Sequence, residues 1–168
     1  VTRLRNPSVI FYELPEFFVG VSPKSGSTSF ARAYPDAVRV DPQRNAARLT
    51  TKPVIYYMRN PLSRLISAYK FFVTKGQDSK HCPKKEALGD FDRFVDYCMQ
   101  NSNHHWNPVY PNLKLVSEVR HIRRMKELVG DVWENKPDPL AVFIRQETYA
   151  KIAAHWSNDF LVYQQIEQ

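Results

Sequence analysis

FFVGVSPKSGSTSFARAY, residues 17–34, is the stretch on which the reading of this 168-residue chain turns. The aromatic, β-branched and uncharged run at 17–22 has the composition of a strand buried on both faces, as in a parallel sheet. It stops at Pro23-Lys24-Ser25-Gly26, and Ser27, Thr28 and Ser29 then open a helix-compatible run. Glycine takes backbone angles closed to other residues, and a helix starting directly after it points unpaired N–H groups into the turn. Lys24 contributes a mobile positive charge. The hydroxyls of Ser25, Ser27, Thr28 and Ser29 contribute further donors, with no acid in the segment to oppose an anion. The segment reads as a phosphate-type site, against the plainer alternative of a capped strand-turn-helix with one solvated lysine.

A second strand-turn-helix follows at residues 52–70, KPVIYYMRNPLSRLISAYK. The apolar run 54–58 ends in Arg59, Asn60-Pro61 makes the turn, and Pro61 suits the first turn of a helix. Leu62, Leu65, Ile66 and Tyr69 fall on one stripe, leaving Ser63, Ser67 and Lys70 on other faces. Arg59 is thereby expected at the carboxyl end of a strand, the side of an open α/β sheet where ligands bind. Alone, the segment is read more plainly as an arginine capping a sheet edge and a serine packed in a helix.

Together, SPKSGSTSF and YYMRNPLSRLISAY resemble the two signature regions of sulfotransferases that use 3′-phosphoadenosine 5′-phosphosulfate. That family writes the first as PKSGTT or K(S/T)G(S/T)T, and the second as RNP or RDP, five residues, then Ser. RNPLSRLISAY is most similar to the RDPxERLxSAY of the carbohydrate (Golgi-type) branch and its short microbial and viral relatives. The stretch 91–108, FDRFVDYCMQNSNHHWNP, is a weaker echo of the same branch. The resemblance implies a three-layer, P-loop-like α/β fold with a central parallel sheet flanked by helices. It also implies sulfuryl transfer to a hydroxyl, expected on a carbohydrate, with adenosine 3′,5′-bisphosphate as product and no metal. By it, Lys24 contacts the bridging oxygen of the donor and Ser25, Gly26, Ser27, Thr28 and Ser29 cradle the 5′-phosphate. Arg59 and Ser67 hold the 3′-phosphate.

The catalytic base is not fixed by the resemblance, because relatives place a His or Glu after the first helix and residues 31–51 contain neither. Asp41 follows a short strand candidate at 37–40 and would emerge at the same sheet edge as Lys24 and Arg59. A turn aspartate before Pro42 is the plainer reading of it. His105, with His104 beside it, is the rival, since imidazole titrates in the useful range. The plainer reading there is a loop pair packed on Trp106.

Composition bounds these expectations. With 43% hydrophobic and 13% aromatic residues, the chain is expected to fold as one domain over its whole length, 1–168. The 24 basic residues against 17 acidic give +7, suited to an anionic donor and to an acidic acceptor such as a glycan. A basic polyanion-binding module would show the same excess. However, the basic residues are dispersed and no zinc-finger or RNA-recognition pattern is present, so nucleic acid is not the expected partner. A P-loop kinase or nucleotide hydrolase is disfavoured because GxxxxGK(S/T) is absent and no strand ends in a clear magnesium-binding acid. Cys82 and Cys98 lack the spacing of a disulfide framework, and with His104 and His105 they lack that of a zinc site. No membrane-length apolar run or signal peptide is visible. A cytoplasmic location is therefore expected, or the Golgi lumen if an N-terminal anchor preceded Val1.

Elsewhere, residues 75–89, KGQDSKHCPKKEALG, read as a polar surface connection or a flap on the acceptor side. Residues 90–100 read as a helix with Phe91, Phe94, Val95 and Cys98 inward, and 101–113 as irregular. Val119, Ile122, Met125 and Leu128 read as the stripe of a helix ended by Gly130, its solvated face carrying Arg120, Arg123, Arg124 and Lys126. Lys136 to Pro139 should break the chain before a buried strand at 140–144, LAVFI, and a helix through Trp156.

Overall fold

Alternation along short apolar strands sets the architecture. The computed structural model describes residues 8–133 and 141–166. Its strands are β1 (Ile10–Glu13), β2 (Phe18–Val21), β3 (Val38–Val40), β4 (Val54–Met58) and β5 (Glu118–His121), in the order β3-β1-β2-β4-β5. On β4, Val54, Tyr56 and Met58 enter one core with Phe11, Phe18 and Val40, while Ile55 and Tyr57 enter another with Val19 and Val21. Side chains two apart share a face of a strand, so two cores on one strand mean a sheet covered on both sides.

The covering elements are helices. α1 (Ser27–Ala33) and α4 (Met125–Val129) close one face through Phe30, Met125 and Val129. α6 (Ser157–Ile166) and the 3₁₀ turn Tyr110–Leu115 close the other through Tyr163 and Leu113. α2 (Pro61–Thr74), α3 (Phe91–Gln100) and α5 (Gln146–His155) build a third core around Leu65, Phe72, Phe94, Trp106, Ile152 and Trp156. α3 buries Phe91, Phe94, Val95 and Cys98 as its spacing predicts, and Asp90 caps it by accepting from the Arg93 N–H at 2.8 Å. Cys82 and Cys98 are free thiols.

Three features differ from expectation. The sheet is mixed instead of parallel: β2, β4 and β5 run parallel, but β1 pairs antiparallel with both β2 and β3. β1 is short and borders turn residues, so local pattern does not reveal it. Val119 belongs to β5, which pairs with β4 in the register Met58↔His121, and only 125–129 of the expected helix is α-helical. Pairing with an already buried strand outweighed the helical spacing. Residues 141–144 are not a strand. Phe143 is 81% exposed, whereas Val142 and Ile144 pack against the α2/α3/α5 core. Leu140 and the expected break at Lys136 to Pro139 lie outside the described residues. Among the described residues, no helix is long and apolar enough to cross a membrane.

The layers are tied by Asp159 on α6, 1% exposed, whose carboxylate accepts from the backbone N–H of Val109 at 2.9 Å and Tyr110 at 2.8 Å. Burial pushes its pKa up, opposed by those two donors and by Arg64. Asp159→Ala strands both N–H groups and is expected to lower the unfolding free energy by about 2–4 kcal/mol in urea denaturation, with Asp159→Asn losing less.

Candidate functional site

The turn after β2 is wound tightly. Ser25 N–H donates to Ser22 O at 3.0 Å, and Lys24 (φ 65°) and Gly26 (φ 79°) both lie in the left-handed region. A left-handed lysine costs about 1–2 kcal/mol, strain of the kind that concentrates where backbone must present itself to a ligand. Gly26 has a second reason to be glycine: a Cβ there would lie 3.0 Å from the Trp133 ring and 3.3 Å from Ile122. Ser25 is fully buried, and its hydroxyl has no hydrogen-bond partner among the described residues.

β4 delivers Arg59 beside this turn, where Nη1 donates to Lys24 O at 2.9 Å. Asn60 then caps α2 by accepting from Ser63 N–H at 3.2 Å, with Pro61 at the first helical position. The buried face of α2 is Arg64, Leu65, Ala68, Tyr69 and Phe72, with Leu62 and Ile66 only partly covered. Arg64 was not anticipated. It is 4% exposed; Nε donates to Pro23 O at 3.4 Å, Nη1 to Asn107 O at 2.9 Å and Nη2 to His104 O at 3.0 Å. One guanidinium thus ties the lysine turn to the histidine loop.

That loop is folded by its asparagines. Asn103 Oδ1 accepts from His105 N–H at 3.0 Å and Asn107 Oδ1 from Asn103 N–H at 2.7 Å, while Trp106 Nε1–H donates to Asn101 O at 2.6 Å. His104 and His105 have ring centroids 4.3 Å apart, and His81 stands edge-on to His104 at 4.6 Å. The 75–89 connection therefore supplies an imidazole to the site, which its sequence did not signal. His105 Nδ1 is buried without a partner among the described residues. Burial first, then His104 and Lys24, hold the pKa of His105 down to about 3; burial, then His81 and Arg39, hold that of His104 at about 4. Lys24 is lowered to about 8 by burial, then by Arg59 and Lys75. Every charged contributor to these shifts is cationic or an imidazole.

On the other side of Arg59 a cavity of about 550 Å3 is lined by Arg59, Asn60, Ser63, His121, Ile122, Arg123, Lys126, Trp133 and Tyr163. No carboxylate is among these residues. His121, at the end of β5, accepts from Arg123 N–H through Nδ1 at 3.1 Å and meets the Tyr163 hydroxyl through Nε2 at 2.8 Å. Of the basic residues first read as a solvated helix face, Arg120 pairs with Glu118 and Arg124 with Glu127, whereas Arg123 and Lys126 face the cavity.

The fold brings Lys24, Ser25, Gly26, Arg59 and His105 together. Ser27, Thr28 and Ser29 open α1, with Ser29 buried and Thr28 exposed. Ser67 is half-buried one turn beyond Ser63, on the same side of α2, and the cavity lining includes Ser63 instead. Asp41 is exposed; it accepts from Gln43 N–H at 2.9 Å and pairs with Arg44 at 3.6 Å, so its carboxylate is engaged in its own turn. Among the described residues, no group of His, Cys, Asp and Glu is placed to hold a metal ion, the three imidazoles included.

His104 and His105 carry pKa values depressed below their unfolded value, so the folded chain keeps both neutral. As pH falls below about 6.5 the unfolded chain gains protons that the folded chain refuses, and stability is lost through the window down to about 3–4. Chemical denaturation across pH 7 to 4 is expected to show this loss, and the double replacement His104→Gln, His105→Gln is expected to flatten it.

A scan against family models matches residues 21–137 to the model described as the Sulfotransferase family. No curated protein and no solved structure matches the chain significantly. The matched span runs from the end of β2 through the lysine turn, Arg59, α2 and the histidine loop, and covers more than half of the 168 residues. By that match, the chain belongs to the sulfotransferase family.

Proposed function

We propose that the chain transfers a sulfuryl group from 3′-phosphoadenosine 5′-phosphosulfate to a hydroxyl, on a carbohydrate by the likeness of RNPLSRLISAY to that branch. The observation that carries this reading concerns two atoms. Among the described residues, the buried side-chain N and O atoms without partners are Ser25 Oγ, on the residue after Lys24, and His105 Nδ1, on a ring that feels the Lys24 charge. A buried polar atom left alone costs about 1–3 kcal/mol, so two in one place suit groups that become satisfied on binding.

The residues present fit an anionic nucleotide. The left-handed Gly26 lets backbone approach closely, Ser25 offers an unused hydroxyl, and the cavity beyond Arg59 combines cations with Trp133 and, among the described residues, no carboxylate. When bound, the donor supplies the sulfuryl group and leaves as adenosine 3′,5′-bisphosphate. Lys24 then balances charge on the leaving phosphate, and Ser25 with the 26–29 backbone orients it. Arg59, with Ser63 or Ser67 on α2, holds the far phosphate. His105 takes the hydroxyl proton at Nδ1, an atom already neutral and unpartnered. Burial is the main reason this imidazole is weakly basic, and negative charge beside Lys24 offsets the part that Lys24 adds, so His105 gains basicity when the donor site is filled. In this scheme Asp41 remains a turn residue.

Calorimetry is expected to show adenosine 3′,5′-bisphosphate binding more tightly than magnesium-ATP, with Arg59→Ala abolishing that preference. Preference for magnesium-ATP, or indifference to Arg59, would overturn the reading. Lys24→Ala is expected to cost about 3 to 4 kcal/mol in the transition state, measured as kcat/KM for sulfuryl transfer.

A further inference from the structure

We propose that Phe71 is a positioning residue for Lys24: its ring holds the lysine ammonium in the free chain and releases it when an anion enters the turn. The proposal rests on Lys24 being the donor-binding lysine. Lys24 Nζ lies 3.4 Å from the centroid of the Phe71 ring. No carboxylate among the described residues pairs with this half-buried lysine; the charged neighbours that perturb it are Arg59 and Lys75. The ring face is therefore the ammonium's electrostatic partner.

The ring is itself held in place. Gly76 is buried and its N–H donates to Phe71 O at 2.8 Å; a Cβ at Gly76 would lie 2.5 Å from the ring edge. Phe71 also stacks on His105, with centroids 6.1 Å apart and planes inclined by 19°, and meets Phe72 edge-on at 5.1 Å. Phe71 thus touches both the lysine and the imidazole. A cation on an aromatic face is bound more weakly than one donating charge-assisted hydrogen bonds to phosphate, so an arriving anion takes the ammonium from the ring. In the free chain the same contact keeps a partly desolvated ammonium from collapsing elsewhere.

The test is NMR of the chain reductively dimethylated with ¹³C-formaldehyde, which preserves lysine charge, the Lys24 signal being assigned by Lys24→Arg. The Lys24 methyls are expected to be displaced upfield by the ring current in the free wild type, still displaced in Phe71→Tyr, and at the ordinary lysine position in Phe71→Leu. Saturation with adenosine 3′,5′-bisphosphate is expected to move the wild-type signal to that ordinary position. Phe71→Leu, which has no ring to compete, is expected to bind the bisphosphate about two- to fivefold more tightly. Undisplaced methyls in the free wild type, or a displaced signal unchanged at saturation, overturn the proposal. If calorimetry shows no bisphosphate binding while the free-chain displacement is present, the donor reading fails separately. Release is then read with inorganic pyrophosphate, and a signal that pyrophosphate leaves in place overturns the proposal as well.

Discussion

A guanidinium taken out of water must place its N–H groups on acceptors, because it cannot shed its proton. Arg64 meets that demand with backbone carbonyls from two separate loops, Pro23 beside the lysine turn and His104 and Asn107 in the histidine loop. Each carbonyl is fixed by the geometry of the same planar group. The relative position of Lys24 and His105 therefore follows from where α2 starts, and α2 starts where Asn60 and Pro61 place it. Arg59, at the end of β4, adds a further tether by donating to Lys24 O. Strand end, cap and helix together hold the site.

Burial comes first in holding down the pKa values around Lys24, and positive charge adds to it, from Arg59 at Lys24 and from Arg64 at both histidines, with Asp159 partly balancing Arg64. The pKa of Lys24 is lowered to about 8, and those of His104 and His105 to about 4 and 3. Ser25 Oγ and His105 Nδ1 remain without partners in the same region. Whatever binds at such a site stabilises the folded chain by mass action. The left-handed lysine and the ammonium resting on Phe71 belong to the same free-state arrangement.

Helix starts, strand composition and the glycine turn after β2 were local and therefore legible. Asn60-Pro61 announces α2, Asp90 announces α3, and the 17–34 stretch announces a strand, a left-handed glycine and a helix. Three things escaped that reading because they depend on residues far apart in the chain. β1 and β5 become strands by pairing with β2 and β4, whatever their own periodicity suggests. Arg64 carries no signal of its own within α2, and only the arrival of two loops makes burying it favourable. His81 lay in a lysine-rich connection and acquires its place from packing against His104.

By itself, the sequence determined the two strand-turn-helix units, their anion-attracting cations and, through the spacing of Lys24, Arg59 and Ser67, a resemblance specific enough to name a family. Those properties reside within short segments, where backbone preference and side-chain chemistry act over a few residues. Only the tertiary structure decided which cations converge, which are neutralised by Glu118 or Glu127, and which imidazole is buried beside the lysine. The reason is range. Charge, burial and hydrogen bonding at the site depend on groups 35 to 43 residues apart that meet only when β2, α2 and the histidine loop pack together.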